Sequence, residues 1–286
     1  MSAKTWEICS EKNIFTVIDE FQNLVKGKYD FNIAQNKRHV KKIIEESTSN
    51  FYGSTASTKL ASQLHNPATL DMQEYESKKR ELNIQKFAHD TGMVSRRRRS
   101  LSEHDGDWDY DRRWDIKQFQ VARRQPTQVR IVNIAFSFSI ACGVAPSTID
   151  EFGRTIWAIV QSLEEMGYNC NVDAWVPLDT VARGGSGKFT SSKAFKYNIK
   201  NSQSYVERSI LARVLSSPFY RQALFTNWIL DADRDAATAS EGLGYVRTID
   251  IAAQYEDPSK VIALQLNDPV STTSETVSQV LEQFRL

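Results

Sequence analysis

A strand, a helix and a second strand follow one another in residues 129–176, and this order restricts the possible folds more than any other part of the sequence. Residues 129–140 (VRIVNIAFSFSI) form an apolar run of the strand type. Residues 149–166 repeat apolar side chains at helical spacing, and residues 168–176 form a second strand-type run. Parallel strands joined by a crossover helix make a βαβ unit, so the sequence predicts an α/β fold.

The rest of the C-terminal half extends this pattern. Ser147 or Thr148 is predicted to cap the crossover helix at its start, and Gly167 is predicted to end it. Further strands are predicted at residues 194–200 and 260–266, and further helices at residues 204–215, 218–231 and 272–284. We therefore expect three layers around a largely parallel sheet, of the Rossmann-like kind.

The N-terminal part is predicted to be mostly helical. Residues 11–46 carry apolar side chains at spacings of three and four and are expected to form helix, broken near Gly27. Residues 47–70 are rich in Ser and Thr and predict a loop and a short helix, and residues 71–90 favour helix. The predicted organisation is a helical region at 1–90, an Arg/aromatic segment at 91–128 and an α/β domain at 129–286.

Composition excludes several classes of protein. The chain has 286 residues and a net charge of +1, which is not that of a uniformly basic nucleic-acid coat. It contains no run of 18 apolar residues and no apolar leader, so no membrane partner is expected. Its three cysteines are typical of free thiols in a cytoplasmic protein. Its four histidines are scattered and none has metal-ligand spacing to a cysteine, so no zinc site is expected. No other metal and no cofactor are expected either.

Charge is nevertheless uneven along the chain. Residues 1–130 contain 23 basic and 18 acidic side chains, whereas residues 131–286 contain 13 and 17. Part of the N-terminal excess lies in the predicted helix, where Lys37, Arg38, Lys41 and Lys42 fall close together. These four charges indicate either a solvated helix face or a surface that meets phosphate.

The Arg/aromatic segment is the strongest candidate for a binding site. Single-stranded nucleic acid is held by cationic side chains along its backbone and by aromatic rings that stack on unpaired bases. The segment interleaves both types of side chain. Its candidate contacts are Arg96, Arg97, Arg98, Arg99, Trp108, Tyr110, Arg112, Arg113, Trp114, Arg123 and Arg124.

The same segment has a plainer interpretation. Residues 93–130 contain 10 basic side chains but also 6 acidic ones, which lowers the net charge to +4. A solvated linker whose tryptophans dock on the folded domain would have a similar composition. Both interpretations remain open at the level of the sequence.

Two other motifs do not meet the requirements of the chemistry they suggest. A phosphate loop ending at Gly187-Lys188 would have Ala182 in place of its first glycine and Phe189 in place of its magnesium-binding hydroxyl. The aspartates at 105, 107, 109 and 111 resemble a calcium loop, but the sixth and twelfth positions are Tyr110 and Ile116 instead of Gly and Glu. Glu164, Glu165 and Asp231, Asp233, Asp235 are interpreted as helix-end and surface charges, and no catalytic residues are predicted.

The C-terminal half resembles phage-encoded proteins with a degenerate von Willebrand factor A-like domain. The resemblance covers about residues 106–286 and rests on VRIVNIAFSFSI, FGRTIWAIVQSLEEMGYNCNVDAW and ARVLSSPFYRQALF. In a complete von Willebrand factor A domain the first strand ends in Asp-x-Ser-x-Ser, whose carboxylate and hydroxyls hold Mg²⁺ through oxygen ligands. Here Ser137 and Ser139 occupy the serine positions and Ala135 replaces the aspartate, which implies a metal-free domain.

The chain is also similar to phage single-stranded DNA-binding factors that recruit a small phage RNA polymerase. This resemblance implies a non-enzymatic transcription accessory factor in the host cell cytoplasm, with single-stranded DNA and a phage RNA polymerase as partners. The alternative is a metal-free von Willebrand factor A-like adaptor that binds another protein. Salt dependence distinguishes the two, because contacts to phosphate release counterions and contacts between apolar surfaces do not.

Overall fold

The computed structural model describes residues 7–64, 70–84, 130–137, 143–181, 189–204, 206–234 and 250–266, together with Val277. The strands are β1 (Glu7–Asn13), β2 (Ile131–Ser137), β3 (Asn169–Val181), β4 (Phe189–Lys200) and β5 (Val261–Leu264). The helices are α1 (Ile14–Val25), α2 (Ala34–Glu45), α3 (Ser57–Gln63), α4 (Gln73–Leu82), α5 (Pro146–Glu165), α6 (Arg208–Val214) and α7 (Phe225–Arg234). A π-helical turn, Phe219–Leu224, leads directly into α7. None of the described helices is long and apolar enough to cross a membrane.

The five described strands form one mixed sheet in the order β1-β4-β3-β2-β5. Strand β2 pairs in parallel with β3 and β5, and β1 pairs in parallel with β4. Strands β3 and β4 are antiparallel. An α/β fold is therefore confirmed, but the sheet is less parallel than expected. The reason is that Val181 and Phe189 are paired across the β3–β4 ladder, so a short connection, residues 182–188, replaces a crossover.

The predicted βαβ unit is confirmed as β2, α5 and β3. The predicted caps were right at one end of α5 and wrong at the other. Gly167 has φ +88° and its N–H donates to the Glu164 carbonyl at 3.0 Å, which ends the helix as expected. At the start, Ala145 is the N-cap and Pro146 takes the first turn, ahead of Ser147 and Thr148. Proline begins a helix well because its φ is already fixed at a helical value.

The N-terminus contains a strand that the sequence did not predict. Asn13 ends β1 and caps α1, accepting a hydrogen bond from the Phe15 N–H at 2.8 Å. Strand β1 then pairs with β4 in a register that places Lys12 beside Tyr197. The predicted break is confirmed at Gly27, where φ is +69°. Residues from the predicted helical region therefore form the edge of the same sheet as the C-terminal strands.

One apolar core joins the two halves of the chain on one face of the sheet. It contains side chains from α1, α5 and α7 packed against β2, β3 and β4, including Phe21, Trp157 and Phe136. Val277, predicted on an apolar helix face, is also buried in this core. The opposite face carries a smaller cluster around Trp175 and Ile251. Among the described residues, only the turns near residues 250–260 cover that second face, so the expected third layer is not seen in this part of the chain.

Candidate functional site

The predicted nucleic-acid contacts lie outside the described residues. All eleven side chains, from Arg96 to Arg124, fall between Ile84 and Arg130, where the described chain stops and resumes. Ile84 is buried beyond the end of α4, and Arg130 lies immediately before β2 with its guanidinium carbon 5.8 Å from the Tyr168 ring centroid. The glycine-rich loop at 184–188 and the aspartates at 105–111 also lie outside the described residues.

The four basic residues of α2 are described, and all of them are exposed. Val40 and Ile43 are 2% and 3% exposed and fix one side of α2 against the core. At 100° per residue, Arg38, Lys41 and Lys42 fall on the opposite side of the helix, and Lys37 lies on its flank. Two exposed lysines of the preceding turn add to them. We call this set the cationic surface: Lys26, Lys28, Lys37, Arg38, Lys41 and Lys42.

Neighbouring acidic groups neutralise the cationic surface only weakly. Lys41 lies 3.5 Å from Glu45, and Lys42 lies 4.0 Å from Glu46. The side chains in both pairs are more than half exposed, and such pairs contribute little in water. Residues 26–42 contain six Lys and Arg side chains and one carboxylate, that of Asp30. The surface therefore keeps a positive potential.

The residue at position 135, where the metal-binding aspartate would stand, cannot serve as a metal ligand. Ala135 is fully buried in β2, and its in-register neighbours are Asp173 on β3 and Ala263 on β5. An alanine methyl supplies no oxygen to a cation, while Ser137 is half-buried and Ser139 lies outside the described residues. Within the described part of the chain, no group of three His, Cys, Asp or Glu side chains could hold a metal ion.

Asp173 supplies a carboxylate beside Ala135, but neighbouring groups already engage it. It accepts hydrogen bonds from the Tyr255 hydroxyl at 2.7 Å and the Asn198 amide at 2.9 Å, and Lys196 lies 3.6 Å away. Burial, followed by the charge of Asp173, raises the pKa of Tyr255, so its hydroxyl stays protonated as a donor. Burial alone would lower the pKa of Lys196, but hydrogen bonding to Glu11 and the charge of Asp173 raise it overall. The cluster is a set of satisfied contacts across the second face of the sheet.

A second polar cluster connects the sheet edge to α1 and α7. The Lys12 ammonium donates to Glu20 at 2.9 Å, to Asn227 at 2.8 Å and to Asp231. These three acceptors use all the donors of a lysine. The Asn227 amide also donates to Glu20 at 2.6 Å, and burial, then the charges of Asp231 and Glu20, raise the pKa of Tyr197. The interpretation of Asp231 as a surface charge was wrong, because Asp231 is buried and ion-paired.

The π-helical turn makes a polar connection that the sequence did not predict. Arg221 is 2% exposed; its guanidinium donates to the carbonyls of Phe51 and Val144 and lies 4.5 Å from the Phe51 ring centroid. The neighbouring Gln222 amide donates to the carbonyls of Tyr52 and Thr55. Neither contact follows from local sequence, although π-helical turns are often found at functional sites. Here the turn connects the loop before α3 to the residues just before α5.

A known family matches the C-terminal part of the chain. The model of a family described as a domain of unknown function, DUF7192, matches residues 116–286, which is more than half of the chain. The matched region contains β2 to β5 and begins within the Arg/aromatic segment, between Trp114 and Arg123. Comparisons with curated proteins and with solved structures give no match.

Proposed function

The chain belongs to the DUF7192 family, and we propose that it is a non-enzymatic protein that binds single-stranded DNA. The observation that carries this proposal is the composition of the Arg/aromatic segment. Arginines at 96–99, 112–113 and 123–124 alternate with Trp108, Tyr110 and Trp114. The guanidinium groups would bind phosphates, and the rings would stack on unpaired bases, each at about 1–3 kcal/mol.

The described residues on both sides of the segment support a firm attachment. On one side, α4 is held on α5 by Lys78–Glu151 at 2.6 Å and by Arg154–Glu74 at 2.9 Å. On the other side, Arg130 precedes β2, and its carbonyl accepts a hydrogen bond from the Asn169 N–H at 2.8 Å. A DNA strand bound by the segment between these two points would therefore be held close to the folded domain.

The state of the described polar clusters favours binding over catalysis. A general acid or base needs a pKa close to the working pH and access to a substrate proton. Lys12 has three acceptors, and Asp173 already receives hydrogen bonds from Tyr255 and Asn198. These groups are committed to holding elements together, which supports a non-enzymatic role.

The finer assignment of the fold belongs to the same proposal. The α/β domain would be a degenerate, metal-free relative of the von Willebrand factor A domain. The alanine at position 135, buried in the middle strand of β3-β2-β5, supports the metal-free part of this assignment. The protein would work in the host cell cytoplasm as a phage transcription accessory factor, and the α/β domain would present a surface to a phage RNA polymerase.

One observation favours a second candidate function, a protein-interaction adaptor. In the sheet, β2 lies between β3 and β5. The chain leaves β2 through α5 and returns as β3 on one side, whereas β5 on the other side comes from later in the sequence. The carboxyl ends of β2 and β5 therefore lie at a point where the connections diverge, which is where open α/β sheets place their binding crevices. A protein partner held there by apolar contacts would bind with little dependence on salt.

The experiment that tests the proposed function uses fluorescence anisotropy of a labelled oligodeoxythymidine with the full chain. The test variants are Arg96→Gln/Arg97→Gln/Arg98→Gln and Trp114→Ala. The matched control, Lys59→Gln/Arg80→Gln/Lys260→Gln, removes three exposed charges from other parts of the surface.

We expect both test variants to bind more weakly than the control. Loss of one stacking ring should reduce affinity by about 1–3 kcal/mol, which is roughly 5- to 150-fold. Loss of three phosphate contacts should also make the fall of log affinity with log salt less steep, by about 2 in the slope. If the parent chain binds and both variants retain its affinity and slope, the segment is only a linker.

A further inference from the structure

We infer that the cationic surface on α2 is a second contact for the phosphate backbone of nucleic acid, separate from the Arg/aromatic segment. This inference rests on the proposed function, since it takes the same ligand class. The surface consists of six exposed basic side chains in the described part of the chain, between Lys26 and Lys42. Through the cationic surface, nucleic acid would contact α2 of the folded domain as well as the Arg/aromatic segment.

The arrangement of charge along α2 is unfavourable for the isolated protein. Lys37 and Lys41 are four residues apart, as are Arg38 and Lys42, while Arg38 and Lys41 are three apart. Side chains at these spacings are neighbours on a helix, and like charges there destabilise it. A bound polyanion would remove this repulsion.

Helix α4 provides an internal comparison, because its charges have mixed signs. Glu74 and Lys78 are four residues apart, as are Glu76 and Arg80. Several of its charged groups also pair with neighbouring elements: Glu74 with Arg154 at 2.9 Å, and Lys78 with Glu151 at 2.6 Å. The charges of α4 thus stabilise the fold directly. Those of α2 make only the two weak contacts to Glu45 and Glu46 among the ion pairs of the described residues.

Packing fixes the backbone that carries the basic side chains without shielding these side chains. Val40 and Ile43 are buried, and Tyr29 and Phe31, in the preceding turn, pack against the core with their ring centroids 4.8 Å apart. The backbone of the cationic surface is therefore anchored on its inner side. A surface whose backbone is fixed in advance loses less entropy when it binds.

The exposed face of α2 suits nucleic acid better than an anionic membrane. A helix that lies on a membrane presents large apolar side chains next to its basic ones, so that they can enter the lipid. The large apolar side chains exposed in the described chain are Ile8, Phe15, Phe51 and Ile131, and none of them belongs to α2 or to the turn before it. The side chains of the cationic surface can contact phosphate but have no apolar neighbour to insert.

The test compares two variants of the full chain that each lose three exposed positive charges. The test variant is Lys37→Gln/Arg38→Gln/Lys41→Gln, in which glutamine keeps the helix propensity of α2. The control is again Lys59→Gln/Arg80→Gln/Lys260→Gln. Each is titrated against labelled oligodeoxythymidine from about 50 to 200 mM salt, the range in which phosphate contacts change affinity most clearly. Vesicles containing phosphatidylserine serve as a second probe, and circular dichroism confirms folding.

We expect the test variant to bind oligodeoxythymidine about 10- to 100-fold more weakly than the control at the lowest salt, with a salt slope smaller by about 2. Equal affinity and slope for the two variants would overturn the inference, and so would binding of the parent to vesicles but not to the oligonucleotide.

The Arg96→Gln/Arg97→Gln/Arg98→Gln variant separates this inference from the proposed function. If only that variant loses affinity, the cationic surface is not a contact and the segment is. If only the α2 variant loses affinity, the cationic surface stands and the segment is a linker. If the parent binds no oligonucleotide, both proposals fall.

Discussion

At Gly153 the absence of a side chain allows α5 to approach the end of α6. A Cβ atom placed on Gly153 would lie 2.0 Å from the Leu215 carbonyl oxygen and 2.9 Å from its carbonyl carbon. Both are backbone atoms, which cannot move without shifting the chain. Alanine is normally the better residue inside a helix, by about 1 kcal/mol. The contact with Leu215 should outweigh that preference.

We therefore expect Gly153→Ala to lower the free energy of unfolding by about 2 kcal/mol or more, as overpacking of a full core does. Urea denaturation followed by circular dichroism measures the change. Gly143→Ala is the matched control, because nothing lies within 4 Å of a Cβ atom at that position. A Gly153→Ala protein as stable as the parent would contradict the close approach of the two elements.

Tyr75 provides a residue-scale test that depends on pH. Its hydroxyl donates to the Ala212 carbonyl at 3.0 Å, and its ring meets Trp157 edge to face at 5.5 Å. Burial, and then the charge of Asp150, raise the pKa of Tyr75 to about 12. The unfolded chain ionises at the ordinary value of 10.0, so the stability linked to the protonated phenol is present below pH 10 and is lost as pH rises to about 12.

The comparison of parent with Tyr75→Phe isolates this effect, because phenylalanine does not titrate. Near pH 8 the variant should be less stable by about 1 kcal/mol or more, since the Ala212 carbonyl loses its donor. Between pH 10 and 12 the parent should lose stability relative to the variant by about 1.4 kcal/mol per pH unit. Urea denaturation near pH 8 and between pH 10 and 12 measures the difference in the free energy of unfolding between parent and variant. A difference that does not change with pH would contradict the raised pKa of Tyr75.

At the scale of elements, strand β1 depends on polar contacts as well as on its ladder to β4. The half-buried side chain of Lys12 connects this edge strand to α1 through Glu20 and to α7 through Asn227 and Asp231. Removing one partner from a largely buried ion pair leaves the other charge without compensation, at a cost of about 3–5 kcal/mol. The cluster should therefore control how firmly the N-terminus is attached.

Lys12→Met should loosen β1 before it unfolds the rest of the sheet. Hydrogen exchange by mass spectrometry should show faster exchange in peptides covering residues 7–13, with a smaller change in residues 131–137. The triple variant Lys12→Met/Glu20→Gln/Asp231→Asn should recover part of the protection, because it no longer buries uncompensated carboxylates. Equal acceleration in both peptides, or no recovery in the triple variant, would contradict this role.

The elements that sequence analysis predicted correctly are those with a strong local signal. Helix α5 repeats apolar residues over five turns and ends at a glycine, so local periodicity suffices to find it. Strand β1 (EICSEKN) has four charged or amide side chains in seven residues and resembles a loop. It forms because β4 offers an edge to pair with, and the paired residues of β4 are 185 or 186 residues away in sequence. The burial of Asp231 is hidden in the same way, because its partner Lys12 is 219 residues away in sequence.

At the scale of the whole molecule, one core joins the two halves of the chain. The excess of positive charge lies in the N-terminal part of the sequence. The core contains α1 as well as α5 and α7, and the sheet contains β1 as well as β2 to β5. Residues 1–130 hold the excess of basic side chains, including the cationic surface and the arginines at 96–99. The proposed account is that these two basic regions bind one nucleic-acid strand, while the C-terminal strands provide the scaffold.

The most direct test of this account measures binding of the parent chain to a labelled oligonucleotide, single-stranded and duplex, at low and moderate salt. The account predicts tight binding to the single strand, weaker binding to the duplex because its bases are not free to stack, and a steep loss of affinity as salt rises. Absence of binding to both forms at low salt would contradict it, and the carboxyl ends of β2 and β5 would then be the surface on which to seek a protein partner.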